Sequence, residues 1–477
     1  MKRWEWGLLC GLTLLAFIVH AAYRIRGFGE QDEARIAIFA MDWLSHGVFA
    51  GDTYLNRTSP LYLLGLRFAL SHGLSYAGLA DALNLVNVAF GALSVPPMFL
   101  LFRRLAADAS VAFLGVAVYS VVPAYFYGQG YGMPHIPSLA CFLTSLACFG
   151  RYLEGGASQH LALGAALVAS ALASAFKADI VMCGLAFPAL VLCLGTPTPR
   201  RFFTACALPA FGVAAGLALY HAAMPVETSA ARFAADWSGQ FPFDLRALVD
   251  KGHARITLYA LGSVLWGTTA VAVYACVARR GRSDALVTRT RRLALLTAAW
   301  ALPTVLFWGM IWAHAARHLT AALVPVALLV AVGVSSLLGT LPRTAAAVFA
   351  VLVANYFSAD PTNHPHRAGP RLFGSLEQMQ KLADHFTTSG RDFAEARADR
   401  KLLLGGGAIP YCEYELLSRT RHFARRVTTT GVLWDVELEP TPPGLTRFVR
   451  VRFGQQAAPE REDPRYFVWV AETGKER

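Results

Sequence analysis

The sequence predicts an α-helical polytopic membrane protein that carries a small C-terminal α/β domain outside the membrane. Hydrophobic residues make up 55% of the 477 residues, and the mean hydropathy of +0.42 is too high for an ordinary soluble chain. The Asp, Glu, Lys and Arg residues lie in short stretches between long charge-free windows. We therefore expect the windows to be helices that lie in lipid.

These windows set the number of helices, because a charge at the centre of a spanning helix costs about 2.5 to 3.5 kcal/mol. The longest window is about two spans long, and its Gly and Pro residues at 127–134 predict a turn there. Counting it twice gives about eleven helices. The windows are residues 7–23, 82–102, 110–150, 155–176, 180–199, 202–226, 256–278, 293–316, 318–342 and 344–359.

The basic loops predict the orientation. A formal net charge of +12 would suggest nucleic acid in a soluble protein, but here the Lys and Arg cluster in short loops, as in cytoplasmic loops of membrane proteins. Lys2 and Arg3 place the N-terminus in the cytoplasm, so residues 24–80, 227–255 and everything after 359 are predicted to be extracytoplasmic. The remaining cytoplasmic positions are then Arg103, Arg104, Arg151, Arg200, Arg201, the 279–292 set and Arg343.

A proline-rich linker after residue 359 divides the chain. Residues 1–359 are predicted to form the membrane module and residues 360–477 a separate α/β domain. We expect a helix at 375–386 and strands at 401–404, 446–453 and 466–470. Of the eight Cys, seven lie in predicted spans, so the sequence predicts neither a disulfide framework nor a Cys metal site.

Two acids open an amphipathic segment in the first external loop. Residues 32–46 have apolar side chains at helical spacing, which predicts a helix in the membrane interface. Asp32 and Glu33 begin it, where a carboxylate could take a proton from an attacking hydroxyl. The alternative is structural, since Asp32 could cap the helix and Glu33 could favour its positive end.

Four cations are predicted on the same face of the membrane: Arg35, Arg57, Lys177 and Arg317. Together they could stabilise a phosphate leaving group as its charge develops. Arg57 and Arg317 could instead be interfacial anchors that snorkel to lipid phosphates. Lys177 interrupts an apolar region, as functional residues in membranes do, or it forms a compensating pair with Asp179 in a turn.

Two histidines lie at outer helix ends. His135 follows Met133 and Pro134, and His318 follows Arg317. Both are candidates for contacting a substrate or a metal, although a lone interfacial His more often has only a structural role. Asp81, Asn84 and Asn87 are at helical spacing and are predicted to hydrogen-bond between helices.

At these positions the chain resembles the GT-C membrane glycosyltransferases, in particular the lipid A aminoarabinose transferases and the protein O-mannosyltransferase-like group. The resemblance rests on the order and spacing of four segments. They are Asp32-Glu33-Ala34-Arg35, Ser59-Pro60-Leu61-Tyr62, Phe176-Lys177, and Arg317-His318-Leu319 with Pro325.

The resemblance implies a GT-C fold and transfer of a sugar from a polyprenyl phosphate, usually with inversion, to a lipid, glycan or protein acceptor. It makes Asp32 the base and Arg35 and Lys177 ligands of the donor phosphate. Arg57 is one position earlier than the family's Lys, and His135 lies where many members carry an acid. Some relatives bind a divalent metal near their acids, which leaves metal use open.

Two other functions use the same residues. A transporter or flippase of a lipid-linked anion would use the cations as its pathway, but transporters place charges near the midplane and show repeated halves. A glycan ligase would keep the site and take a lipid pyrophosphate donor. The sugar and the acceptor depend on pocket shape, which the sequence does not give.

Overall fold

The computed structural model describes residues 2–22, 36–37, 40, 59–74, 79–128, 132–223, 243–278, 284–310, 316–339, 341–358, 420–428, 431–438, 448–454 and 468–471. The chain divides into two compact units. The first comprises Met1–Arg24, Arg57–Tyr62 and Leu85–Asn363, and its described residues are mostly helical. The second comprises Ile25–Asn56, Leu63–Asn84 and His364–Arg477 and contains an antiparallel sheet.

The helices follow the apolar windows of the sequence closely. In chain order they are α1 (Arg3–Ala22), α2 (Pro60–Ser71), α3 (Leu79–Ala106), α4 (Ala109–Ser120), α5 (Pro123–Gly128), α6 (His135–Glu154), α7 (Gln159–Phe176), α8 (Ala186–Leu194), α9 (Pro199–Ala223), α10 (Lys251–Leu261), α11 (Ser263–Ala278), α12 (Asp284–Gly309), α13 (Val324–Leu338) and α14 (Leu341–Ser358). Short 3-10 helices lie at Ala178–Cys183, Leu245–Val249, Ala316–Leu319 and Ala321–Leu323.

Seven of the described helices are long and apolar enough to cross a membrane, as expected of an integral membrane protein. They are Arg3–Ala22, Asp81–Ala106, His135–Glu154, Gln159–Phe176, Pro199–Leu219, Arg291–Gly309 and Ala321–Leu338. Four apolar helices are shorter, at Leu61–Ser71, Ala109–Ser120, Ala178–Leu194 and Val264–Tyr274. The expected total of about eleven spans therefore stays a prediction, since it requires more crossings than these seven.

Local backbone features break two of the predicted windows. The 256–278 window is split into α10 and α11 at Gly262, whose φ of +92° suits a residue without a side chain. The 180–199 window begins with the Ala178–Cys183 3-10 helix, so α8 has only nine residues. The range 127–134 of the predicted turn includes the last two residues of α5 and ends directly before α6, and its residues 129–131 lie outside the described residues.

Small residues let α7 and α9 pack closely. A Cβ atom added to Gly212 would lie 2.5 Å from the Ser170 hydroxyl oxygen and 2.8 Å from the Ser170 carbonyl oxygen. One turn further, a Cβ atom on Gly216 would lie 3.1 Å from the Ser174 carbonyl carbon. The hydrophobic effect does not drive helices together inside lipid, so membrane helices associate through dispersion contacts. Close approach of the two backbones increases those contacts.

Large aromatic side chains fill the core of the first unit. Trp300 is fully buried and meets Phe142 edge to face, with ring centroids 5.7 Å apart. Phe187 meets Phe142 and Phe149 in the same way, at 5.8 and 5.5 Å. These contacts fix α6, the short α8 and α12 against one another.

One end of the helices in the first unit is rich in arginine, and we call it the arginine end. Arg103 Nη2 lies 3.3 Å from Glu5 Oε2, which joins the end of α3 to the start of α1. Arg104 Nε and Arg151 Nη1 contact Glu154 at 2.8 and 3.1 Å. Three of the basic residues that alternation predicts on the N-terminal side, Arg103, Arg104 and Arg151, thus lie at the same end as Glu5. The orientation itself stays a prediction.

The sheet of the second unit has the strand order β1 (Thr420–Thr428), β2 (Gly431–Leu438), β3 (Phe448–Gly454) and β4 (Val468–Ala471), with all neighbours antiparallel. β3 and β4 overlap two of the predicted strands, whereas β1 and β2 were not predicted. The predicted helix at 375–386 and strand at 401–404 lie outside the described residues, so the α/β domain remains a prediction.

Candidate active site

The opposite end of the first unit, which we call the Lys177 end, is tied together by polar contacts between helices. The Tyr62 hydroxyl donates to Asn87 Oδ1 at 3.2 Å, and Asn87 Nδ2 donates to the Met133 carbonyl at 2.7 Å. The prediction that Asn87 hydrogen-bonds between helices is confirmed. Because Asn87 is fully buried, these two bonds fix the start of α2 and the entry to α6 on α3.

Lys177 lies where α7 ends and is only 4% exposed. Its backbone is extended, with φ −157° and ψ 111°, and its N–H donates to the Ala173 carbonyl at 3.0 Å. Ser138 on α6 donates to the same carbonyl at 2.8 Å. The Lys177 backbone is therefore held by the last turn of α7, which the Ser138 side chain links to α6.

Asp179 is the described ion-pair partner of Lys177. The Nζ to Oδ2 distance is 3.7 Å, longer than a charge-assisted hydrogen bond. The compensating pair expected from the sequence is thus present, but it is loose. An ammonium group has three donors, so Lys177 can hold an anionic ligand in addition to Asp179.

His135 opens α6 beside these groups. Among the residues that the structure describes, neither of its ring nitrogens has a hydrogen-bond partner, and both nitrogens are buried. The positive charges of Lys177 and Arg317 act on its ring. A buried imidazole without partners costs free energy, and a ligand that hydrogen-bonds to it would recover that cost.

The short 3-10 helix Ala316–Leu319 brings Arg317 and His318 to the same place. The His318 ring lies 5.6 Å from that of His135 and stacks on Trp308, with centroids 3.7 Å apart and an angle of 20°. The Tyr119 hydroxyl holds this turn by donating to the Thr320 carbonyl at 2.6 Å. The His135 and His318 rings are therefore neighbours, and the charges of Lys177 and Arg317 reach the His135 ring, so the four residues predicted from sequence lie at one end of the helices.

Aromatic rings form one side of the site. Phe176 precedes Lys177 and meets Tyr62 and Phe90 edge to face, at centroid distances of 6.4 and 5.3 Å. Ser59 lies three residues before Tyr62 and is fully buried. Within the described part of the chain its hydroxyl has no hydrogen-bond partner, so it is a second polar group able to bind a ligand.

The other predicted site residues, Asp32, Glu33, Arg35 and Arg57, lie outside the described residues. Three positions of the predicted interfacial helix are described. Ile36, Ala37 and Ala40 are helical and buried, and the interfacial helix stays a prediction. The catalytic roles of Asp32 and Glu33 remain predictions.

Sequence reasoning missed Trp308 and the bridging role of Tyr62. Trp308 lies inside an apolar window, where a tryptophan is ordinary, and only its stack on His318 marks it. Tyr62 belongs to the Ser59-Pro60-Leu61-Tyr62 segment, but its hydrogen-bond partner Asn87 is 25 positions away. No local pattern shows such a contact.

A metal site is not complete among the described residues. His135 and His318 could supply two imidazole ligands, but no group of three His, Cys, Asp or Glu there could hold an ion. A metal would need a further ligand from residues outside the described ranges. We assign no step to a metal.

No protein-family description and no curated protein sequence matches the chain. Its fold is similar to the crystal structure of ArnT from Cupriavidus metallidurans bound to undecaprenyl phosphate. That match has a TM-score of 0.47 and 15% identity and covers 87% of this chain and 69% of the other. The apo structure of the same protein matches with a TM-score of 0.45 and 15% identity, covering 86% and 67%. Both structures are of a lipid A aminoarabinose transferase with a GT-C fold, one of the proteins that the sequence resembles.

Proposed function

We propose that the chain transfers a sugar from a polyprenyl-phosphate donor to a lipid, glycan or protein acceptor on the extracytoplasmic face of the membrane. The observation that supports this most is the buried Lys177, which lies at a helix end with Arg317 and with His135, whose ring has no hydrogen-bond partner among the described residues. The phosphate of a membrane lipid lies at the bilayer surface, where membrane-spanning helices end.

In this proposal the cations stabilise the leaving group. When the acceptor hydroxyl attacks the anomeric carbon, the bond to the phosphate oxygen breaks and negative charge grows on the lipid phosphate. Lys177 and Arg317, with Arg35 and Arg57 from the first external loop, would compensate that charge where it develops. His135 and His318 would contact the substrate beside the phosphate.

Asp32 would take the proton of the acceptor hydroxyl, with Glu33 beside it. A single displacement at the anomeric carbon inverts its configuration. The proposed orientation rests on the arginine end, which lies with the N-terminus and carries the positive charges typical of cytoplasmic loops. The Lys177 end would then face outward, with the α/β domain at 360–477 next to the acceptor.

Binding of undecaprenyl phosphate to the purified full chain in nanodiscs tests the donor site, and native mass spectrometry measures it. We expect the wild type to bind this lipid and Lys177→Ala to bind it much more weakly. Asp32→Asn should bind it normally but transfer no sugar. Equal binding by wild type and Lys177→Ala would remove the support for a phosphate site there.

The lipids of a deletion strain identify the reaction. A missing glycosylated product with accumulated polyprenyl-phosphate sugar is expected. Accumulated lipid pyrophosphate would instead indicate the glycan ligase. Movement of the lipid-linked anion across liposomes without sugar transfer would replace the proposal by the flippase.

A further inference from the structure

Residues 243–249 expose an unusual amount of apolar surface. Phe243, Leu245 and Val249 are 55%, 73% and 83% exposed, and Leu248 is 37% exposed. Phe243 precedes the 3-10 helix Leu245–Val249, which contains the other three and, at five residues, is too short to span a membrane. Water is a poor solvent for four adjacent side chains of this kind.

The segment is held at one end of a spanning helix. The Asp244 N–H donates to the Met310 carbonyl, just beyond α12, at 2.8 Å. The Phe243 ring meets Phe307 of α12 edge to face at 5.3 Å. α12 is long enough to cross the bilayer, and residues just beyond the end of a helix that crosses it lie at headgroup depth.

Charged groups accompany the apolar ones. The Arg246 side chain is 90% exposed, and Lys251 follows at the start of α10 and is also exposed. The two acids here are Asp244 and Asp250. Asp244 accepts the Arg246 N–H at 2.9 Å and lies 3.8 Å from the Arg246 guanidinium, so its charge is partly used within the segment. Apolar side chains with cations beside them fit the boundary between acyl chains and lipid phosphates.

We propose that residues 243–249 lie in the membrane interface, with Leu245 and Val249 among the upper acyl chains and Arg246 at the lipid phosphates. The occupant of this surface is membrane lipid. Since α12 also carries Trp308, which stacks on His318, the segment would set the depth of both rings; any role of that depth in substrate binding rests on the proposed function. The interfacial position itself does not depend on the proposed sugar transfer.

Depth-dependent fluorescence quenching tests this position. A fluorescent amino acid replaces Leu245 in the full chain by codon suppression, and the protein is reconstituted in nanodiscs with lipids brominated near the headgroup or deep in the acyl chain. We expect shallow bromines to quench position 245 about twofold more than deep ones, as for a group about 5 to 10 Å below the headgroups. The same replacement at Val249 gives an independent measurement if position 245 disturbs folding.

Two control positions complete the experiment. Phe203 on α9 is 77% exposed within a spanning helix, and Ser158 is exposed in the turn before α7. Bromine quenching at 245 and 249 should exceed that at Ser158. Quenching no greater than at Ser158 would place the segment in water or under another part of the chain and would overturn the proposal. If these variants lost sugar transfer but showed the expected quenching, the result would bear on the proposed function and would leave the interfacial position supported.

Discussion

The ion pairs at the arginine end and at the Lys177 end differ in length and in exposure to water. At the arginine end, Arg104 and Glu154 are 2.8 Å apart with side chains 18% and 39% exposed. At the Lys177 end, a lysine with a 5% exposed side chain has a described ion pair of 3.7 Å. Charges in a short, partly exposed ion pair are stabilised by each other and by water. A buried cation with a distant partner can still gain stabilisation by binding an anionic ligand.

The largest effect is expected on changing Lys177. Lys177→Met should lower undecaprenyl phosphate binding and sugar transfer by about thirtyfold to several thousandfold, the effect of about 2 to 5 kcal/mol for losing a buried charged partner. Native mass spectrometry and a transfer assay measure the two losses. The control is Arg151→Met at the arginine end, where the Arg151 side chain is 48% exposed and binding should not change.

A double variant separates binding from folding. Lys177→Met leaves the Asp179 carboxylate without its described partner, and Asp179→Asn in the same chain removes that charge. Thermal stability should recover in the double variant while lipid binding stays low. Recovery of binding as well would mean that Lys177 acts only by holding Asp179.

A smaller loss is expected at His135. His135→Ala should lower transfer by about tenfold to a hundredfold, because a hydrogen bond to a charged group contributes about 1.5 to 3 kcal/mol. His135→Gln keeps a donor and an acceptor and should retain part of the rate. His160→Ala is the matched control, since His160 is exposed at the start of α7. Equal rates in His135→Ala and His160→Ala would assign His135 a packing role.

One methyl group added where α7 packs against α9, two turns before Lys177, should lower the stability of the protein. Gly212→Ala places a Cβ atom against Ser170 two turns before Lys177 and should cost about 1 to 3 kcal/mol of stability. Gly164→Ala in α7 is the control, because no atom lies within 4 Å of its added Cβ. That change should be neutral or stabilising in thermal unfolding. Equal losses in both variants would disprove the close contact.

The smallest effect is expected at the arginine end itself. Arg104→Gln should lower stability by about 1 kcal/mol or less, since partly exposed ion pairs contribute little and salt screens them. Thermal unfolding at low and high salt measures this. A loss as large as that of Gly212→Ala would show that the two ends are less different than their geometry suggests.

The sequence predicted the helical class and much of the site because both depend on simple physical preferences. Charges avoid the apolar part of a bilayer, so their absence located α3, α7 and α9 within a few residues. The same rule singled out Lys177 and Arg317, which interrupt apolar stretches, whereas His135 was chosen as a histidine at an outer helix end. The structure places all three at the Lys177 end. The donor-phosphate roles of Lys177, Arg317 and Arg57 stay predictions. So do the substrate contact of His135 and the catalytic role of Asp32.

What the sequence did not predict depends on contacts between distant positions or on backbone geometry. Local periodicity in the sequence does not predict the stacking of Trp308 on His318. Nor does it predict the hydrogen bond from Tyr62 to Asn87. The end of α10 at Gly262 follows from a positive φ, which a glycine permits without requiring it. The first two strands of the sheet were missed in a region of mixed polarity.

The ion pair between Glu5 and Arg103 has a consequence for how the chain is made. The two residues are 98 positions apart, so Glu5 is synthesised long before its partner. At usual rates of synthesis that interval lasts about 5 to 20 seconds. The other hydrogen bond of Glu5 in the folded protein, from the Lys2 N–H at 2.8 Å, needs no distant residue. The first helix can join the bundle in its final form only after the ribosome has completed α3.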